Sequence, residues 1–388
     1  MTDRDKLIGE RLRKERESLG YKLNEVARKM GFEHHQILGN IESGKRPLKA
    51  VELVQLSGLY GRNAAHFLKE DSAVVPRVLW RDAAKTDETV LAERKFIEIC
   101  EGYTRLLHLT REEPVADAPP CLALPDKRTL IQRGFGYIIG LAEQARKSLA
   151  LGARPAHSLA NVLESNFGVL VLYRDLKNAG SAASLSVGDC RAIVINSTEA
   201  PWRRNYDLAH ELFHLITWDL FSEDEISTPS KGGKKSLVEQ LADAFASALL
   251  LPEEEVRSEF RKKVVNRKIT YISLVEIARE FKVSTEALLW RLTNLGLLRQ
   301  KDVEKCLTEG EIRNVDRQAR GEDGAWEKPP HLSARYVMLA IKAYFMGKIS
   351  RARFSEYVDI PFSSVSDFLE MNGYRDDGNY SIALTAHC

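Results

Sequence analysis

The segment Tyr206-Asp207-Leu208-Ala209-His210-Glu211-Leu212-Phe213-His214-Leu215-Ile216 limits the fold more than any other stretch of the chain. Histidines at i and i+4 lie one above the other on an α-helix, so two imidazoles can reach one metal ion. Leu208, Leu212, Leu215 and Ile216 form one apolar face of that helix. His210 and His214 fall nearly opposite, with Glu211 between the two directions. One side is therefore expected to pack on a core while the other faces a cleft. Zn2+ suits imidazole donors, and it brings the pKa of a water it binds to about 7. The glutamate that follows the first histidine can then take a proton from that water. The plainer alternative is two ordinary helix histidines beside a solvated glutamate.

A third protein ligand is needed to complete such a site. Glu223, Asp224 and Glu225 lie in a polar stretch and read as solvated. Glu239 is placed on a second helix with Ala242 and Ala246 along the same face, small residues that let two helices approach closely. Asp243, one turn later, is either a partner that holds a histidine from behind or a surface or capping carboxylate. The fourth coordination position is left for water. Cys190 precedes the metal helix in a strand; it reads as a buried thiol, with capping of the zinc as the alternative.

With 388 residues the chain is too long for one ordinary core, and two or three domains are expected. Hydrophobic residues at 44% and charged residues at 29% exclude a disordered or collagen-like chain. A net charge of +2 means that any nucleic-acid contact must come from a local basic patch. The five cysteines are scattered without a CxxC pair, which argues against a disulfide framework or a cysteine-built knuckle. No apolar run approaches the roughly 20 residues of a membrane span, and the N-terminus is highly charged, so a cytoplasmic protein without membrane contact is expected.

Helical spacing dominates residues 1–70, read as a helix-turn-helix domain, and continues through a helical linker at 71–125, of which 71–87 breaks the pattern. Residues 126–262 form the metal-bearing domain. In it, strand candidates at 169–173, 182–185 and 192–195, the last two joined by a turn at Gly188-Asp189, precede helices over roughly 203–217 and 236–251. Residues 263–388 form a C-terminal helical region with helix-turn-helix-like pieces near 274–295 and 349–370, expected to serve packing or protein contact because neither has a clear basic reading helix. The fold class is multidomain α+β.

The stretch Tyr206 to His214, followed by Val238-Glu239-Gln240-Leu241-Ala242-Asp243-Ala244-Phe245-Ala246-Ser247-Ala248-Leu249-Leu250-Leu251-Pro252, resembles the ImmA/IrrE family of metallopeptidases. The likeness extends over roughly residues 80–300, through Gly168 upstream and through Val283-Ser284 and Leu289-Trp290-Arg291-Leu292 downstream. It implies His210, His214 and Glu239 as zinc ligands and Glu211 as general base. It also implies an endopeptidase of narrow specificity that cuts a partner regulatory protein such as a repressor. Phe213 departs from the glycine usual in the family and is expected to narrow access to the metal.

Residues 7–60 resemble an XRE-type helix-turn-helix, carried by Leu12-Arg13, Gly20, Glu25-Val26-Ala27, Gly31 and Ile41-Glu42-Ser43-Gly44-Lys45-Arg46-Pro47. The resemblance implies binding to operator DNA, as a homodimer. The reading helix would present His34, His35, Gln36 and Asn40 to base edges, while Lys45 and Arg46 would sit near phosphates. Leu23 stands where a glutamine is usual, and the turn before the reading helix is about one residue longer than common. The combination implies a DNA-binding regulator with a zinc endopeptidase domain. The alternative is a non-catalytic autoregulatory repressor or antitoxin whose peptidase-like domain senses a ligand or binds a toxin.

Overall fold

The computed structural model describes residues 3–18, 21–60, 64–68, 77–81, 86–112, 122, 124–187, 190–227, 235–320, 326 and 328–375. The chain divides into two compact units, 1–76 with 83–101, and 77–82 with 102–388. The turn expected at Gly188-Asp189, and Gly20, Cys121 and Cys388, lie outside the described residues.

The first unit is helical: α1 (Asp3–Ser18), α2 (Leu23–Lys29), α3 (His35–Glu42), α4 (Ala50–Leu59), α5 (Ala64–Leu68) and the first part of α6 (Asp87–Thr110). Its core gathers Leu12, Val26, Leu38, Ile41, Leu56, Tyr60 and Phe67, one apolar stripe from each short helix. Two glycines set the spacing. At Gly9 a Cβ would meet the carbonyl oxygen of Ile41 at 2.5 Å, so α1 can cross α3 closely. Gly44 has φ +67° and would place a Cβ 2.9 Å from Lys6 Cα, so the turn after α3 requires a residue without a side chain. Arg16 forks onto Glu42 with bonds of 2.7 and 3.0 Å, and Arg94 pairs with Glu15 at 2.6 Å. Both pairs are largely buried, so removing one partner leaves an uncompensated charge in the core.

The second unit is built on a sheet of four strands: β1 (Val78–Arg81), β2 (Leu170–Arg174), β3 (Ala182–Val187) and β4 (Cys190–Asn196), in the order β1-β3-β4-β2. β2 runs parallel to β4, and the other neighbours are antiparallel. Three of these strands match the alternating and continuous apolar runs of the sequence. β1 arises within the stretch that read as a break in the pattern.

The helices α7 (Lys127–Ser148), α8 (Leu159–Phe167), α9 (Pro201–Ile216), α10 (Glu223–Ser227) and α11 (Leu237–Leu250) belong to the same unit, with α8 packed on β2, α9 on β3 and β4, and α11 on both α7 and α9. Then follow α12 (Glu253–Lys263), α13 (Tyr271–Glu280), α14 (Thr285–Asn294), α15 (Gln300–Glu309), α16 (Glu311–Arg320), α17 (Ala334–Phe345), α18 (Arg351–Val358) and α19 (Val365–Met371). Leu274, Ile277, Leu288 and Leu292 put α13 and α14 into the same core as α9 and α11. Arg291 of α14 is buried there and donates to the carbonyl of Leu251 at 3.0 Å. The fold is a mostly helical α+β arrangement with a helical N-terminal part, a small mixed sheet and a helical C-terminal part. Among the described residues no helix is long and apolar enough to cross a membrane.

Candidate metal centre

α9 begins with Pro201 at its first turn, where the missing N–H costs nothing, and ends as the Thr217 hydroxyl donates to the Phe213 carbonyl at 2.8 Å. α11 begins at Ser236, whose side chain accepts from the Glu239 amide at 3.1 Å. That cap fixes Glu239 in the first turn, and its carboxylate reaches across to the histidines of α9.

The two helices bring three donor groups to one point. Glu239 Oε2 lies 3.2 Å from His210 Nε2, and Glu239 Oε1 lies 3.1 Å from His214 Nε2. The two Nε2 atoms are 3.2 Å apart. His210 Nδ1 faces Asp243 Oδ1 at 3.0 Å, so this nitrogen carries the proton and Nε2 presents its lone pair to the cluster. Two imidazole nitrogens and a carboxylate at this spacing are a His2Glu donor set, which fits a zinc ion. His210, Glu211 and His214 are buried, and their donor atoms lie within 4.8 Å of one another.

Glu211 is only 1% exposed, and both of its carboxyl oxygens are shut off from solvent. Burial pushes its carboxyl up to about 7, with Glu239 adding to the rise and His214, Ser184 and Arg81 opposing it. A carboxyl group poised there can accept a proton near neutral pH and return it.

The sequence expectation that the histidine face would open onto a cleft is corrected. His210 is 0% exposed and His214 3%, because α11 and the sheet cover the polar face as fully as the core covers the apolar one. Phe213, expected from its bulk to narrow access to the metal, faces α11. It is fully buried against Phe245, with ring centroids 5.6 Å apart, and against the edge of His214, so its bulk fills the layer between α9 and α11.

Of the other carboxylates considered, Glu223 and Asp224 are exposed on the short helix α10, and Glu225 is held by Ser222 and Lys127. None of the three belongs to the cluster, and neither does Cys190, a fully buried thiol at the start of β4.

Sequence reasoning missed four further groups. Arg81 of β1 pairs with Asp207 at 3.0 Å and with Asp243 at 3.3 Å. The Tyr206 hydroxyl donates to the Asp243 carbonyl at 2.9 Å. Lys235 meets the second oxygen of Asp243 at 2.9 Å. Tyr206 and Asp207 adjoin the motif and could have been flagged by position. Arg81 and Lys235 carry no spacing signal.

Residues 164–293 match the family model described as IrrE N-terminal-like domain, Peptidase_M78, and residues 12–67 match the helix-turn-helix model HTH_3. The chain joins an IrrE N-terminal-like domain to a helix-turn-helix. No curated protein matches it. The first match encloses His210, Glu211, His214, Glu239 and Asp243; the second encloses α2 and α3.

The helix-turn-helix implies DNA binding. Within it, His34 is the N-cap of α3, and His35, Gln36 and Asn40 are exposed on that helix. Lys45 is exposed in the following turn. Arg46 is placed differently from Lys45: its guanidinium forks onto Glu52 with bonds of 3.0 and 2.7 Å.

Proposed function

We propose that this protein is a DNA-binding regulator whose IrrE-like domain is a zinc endopeptidase acting on a partner regulatory protein. His210, His214 and Glu239 would hold the metal and Glu211 would serve as general base. The observation that carries the reading is the convergence of two imidazole Nε2 atoms and one carboxylate to within 3.1–3.2 Å of each other, beside a buried carboxyl at about 7.

A zinc ion there supplies a Lewis acid that acidifies water and polarises a peptide carbonyl. The rest falls to the chain. Asp243 keeps the His210 proton on Nδ1. Glu211 takes a proton from the attacking water and delivers it to the departing amine nitrogen, so it ends the cycle as it began. The helix-turn-helix would bring the protein to an operator as a homodimer, with α3 in the major groove. A protein that joins an operator reader to a peptidase suits a repressor or toxin encoded beside it as the partner.

Glu211→Gln removes the proton carrier and none of the metal donors. With neighbouring gene products co-expressed as candidate partners, the wild type is expected to shorten one of them. The variant is expected to leave it whole while still binding zinc and duplex DNA. Cleavage at the wild-type rate by Glu211→Gln contradicts the mechanism.

The near-complete burial of His210, Glu211 and His214 favours a second reading, in which the domain binds a toxin or ligand without cutting. Stoichiometric zinc with every co-expressed partner bound and intact would support that reading.

A further inference from the structure

We propose that Arg81, carried by β1 from outside the matched peptidase-like segment, is a positioning residue for the metal centre: it clamps Asp207 of α9 to Asp243 of α11 and so fixes His210. The inference rests on the zinc reading above and adds a residue to it.

For Glu239 to reach both histidines, α9 and α11 must lie close, and this brings together Asp207 and Asp243, two carboxylates on facing helices. Asp207 is 1% exposed. Like charges in such a place resist the approach of the helices, and burial of the carboxylates adds a desolvation cost. One guanidinium spans the pair, with Nη1 at 3.0 Å from Asp207 and Nη2 at 3.3 Å from Asp243 Oδ1. A planar fork can serve two carboxylates at once; a point charge cannot.

The shared oxygen matters most. Asp243 Oδ1, which accepts from Arg81, is the same atom that faces His210 Nδ1 at 3.0 Å. Arg81 therefore fixes the carboxylate that fixes the imidazole. Lys235 holds the other oxygen at 2.9 Å, but its side chain is 46% exposed against 7% for Arg81, so solvent screens its contribution far more. The Arg81 guanidinium also lies over the Tyr206 ring, 5.5 Å from its centroid, and Tyr206 is tied to the Asp243 carbonyl.

The backbone sets where Arg81 points. β1 pairs with β3 in a register that places Leu79 opposite Ser184 and Arg81 opposite Ala182. Residues two apart share a face, and Leu79 is buried in the core with α9 and α11. A slip of one residue would turn Arg81 to the other face. Arg81 lies between the two matched segments, 12–67 and 164–293, so the IrrE-like match alone does not contain it.

A merely structural arginine would hold β1 in place and nothing more. The comparison residue is Arg77, which adjoins the strand and donates to the Trp218 and Phe221 carbonyls at 2.7 and 3.1 Å. Zinc affinity of the full chain is measured by competition with a chromophoric chelator, with the visible absorption of the cobalt-substituted protein as a second readout.

Arg81→Gln is expected to weaken zinc binding about 10- to 100-fold and to shift the cobalt bands. Arg81→Lys, which keeps one charge, is expected to fall between Gln and wild type. Arg77→Gln is expected to lower the melting temperature with zinc affinity unchanged. Wild-type affinity and an unaltered cobalt spectrum in the Arg81 variants overturn the proposal, as does an equal loss in Arg77→Gln. Should Arg81→Gln not fold, Arg81→Lys decides on the same terms. A wild type without stoichiometric zinc is a separate result: it removes the zinc reading itself before any variant is made.

Discussion

Lys45 and Arg46 sit side by side in the turn after α3, yet they face different tasks. Lys45 is exposed. Arg46 is 29% exposed at its side chain and commits both ends of its fork to Glu52, which also accepts the Lys49 amide at 3.0 Å and so closes the first turn of α4. A charge already neutralised by its own carboxylate releases few counterions when phosphate approaches. Lys45→Ala is therefore expected to lower the slope of log K against log salt by about 1 on nonspecific duplex DNA. Arg46→Ala is expected to leave that slope close to wild type and to destabilise the helical unit by on the order of 1 kcal/mol or less through loss of its fork onto Glu52. Titrations of both variants over a salt series, with a melting curve for each, separate the two roles. An equal fall in slope from Arg46→Ala would mean that the fork leaves Glu52 for phosphate on binding.

At the scale of elements, α8 meets the start of α17 through Glu164. Burial pushes the Glu164 carboxyl up to about 7, against the opposing pull of Ser333 and of the Ala334 and Val171 amides. The folded protein thus prefers the neutral acid, whereas the unfolded chain ionises near the ordinary glutamate value. A folded pKa above the unfolded one means that the stabilising contribution is whole below the unfolded pKa and is lost as pH rises through about 7. Metal-free protein is expected to melt at falling temperature between about pH 5 and pH 7, and Glu164→Gln is expected to reduce that fall, leaving the share of Glu211. An unchanged slope in the variant assigns the titration to another group.

Elements also differ in how far the sequence revealed them. α9 and α11 were legible because each carries a long apolar stripe and starts at a recognisable residue, Ser236 for α11 and Pro201 for α9. The donors followed, since i and i+4 spacing is a local property. β1 was not legible. Its four residues have no turn signal or alternation of their own, and pairing with β3 from far along the chain makes them a strand. Arg81 was hidden for the same reason. The enclosure of the α9 polar face was hidden too, because it depends on Glu239, Asp243 and Arg81 satisfying that face from other elements.

For the whole molecule, the two units have separate hydrophobic cores, one around Leu12, Leu38 and Tyr60, the other around Leu212, Phe213 and Phe245. Each is proposed to bind a different ligand: DNA on the first, zinc on the second. A ligand that binds only the folded form stabilises the unit that holds it, by about 2.7 kcal/mol when its free concentration is about a hundred times its Kd. Two calorimetric transitions are therefore expected. Zinc should raise one of them by several degrees and a chelator should return it, while duplex DNA at low salt should raise the other. Zinc moving both transitions together would mean that the units unfold as one cooperative block. Zinc moving neither would leave His210, His214 and Glu239 without the ion their geometry fits. The chelated protein should keep its DNA affinity, because none of the metal donors lies in residues 12–67. If the regulator switches by cutting a partner, chelation should abolish cutting and leave operator occupancy intact. Loss of both on chelation would place the metal in the folding of the whole chain, where it would no longer be confined to one unit's chemistry.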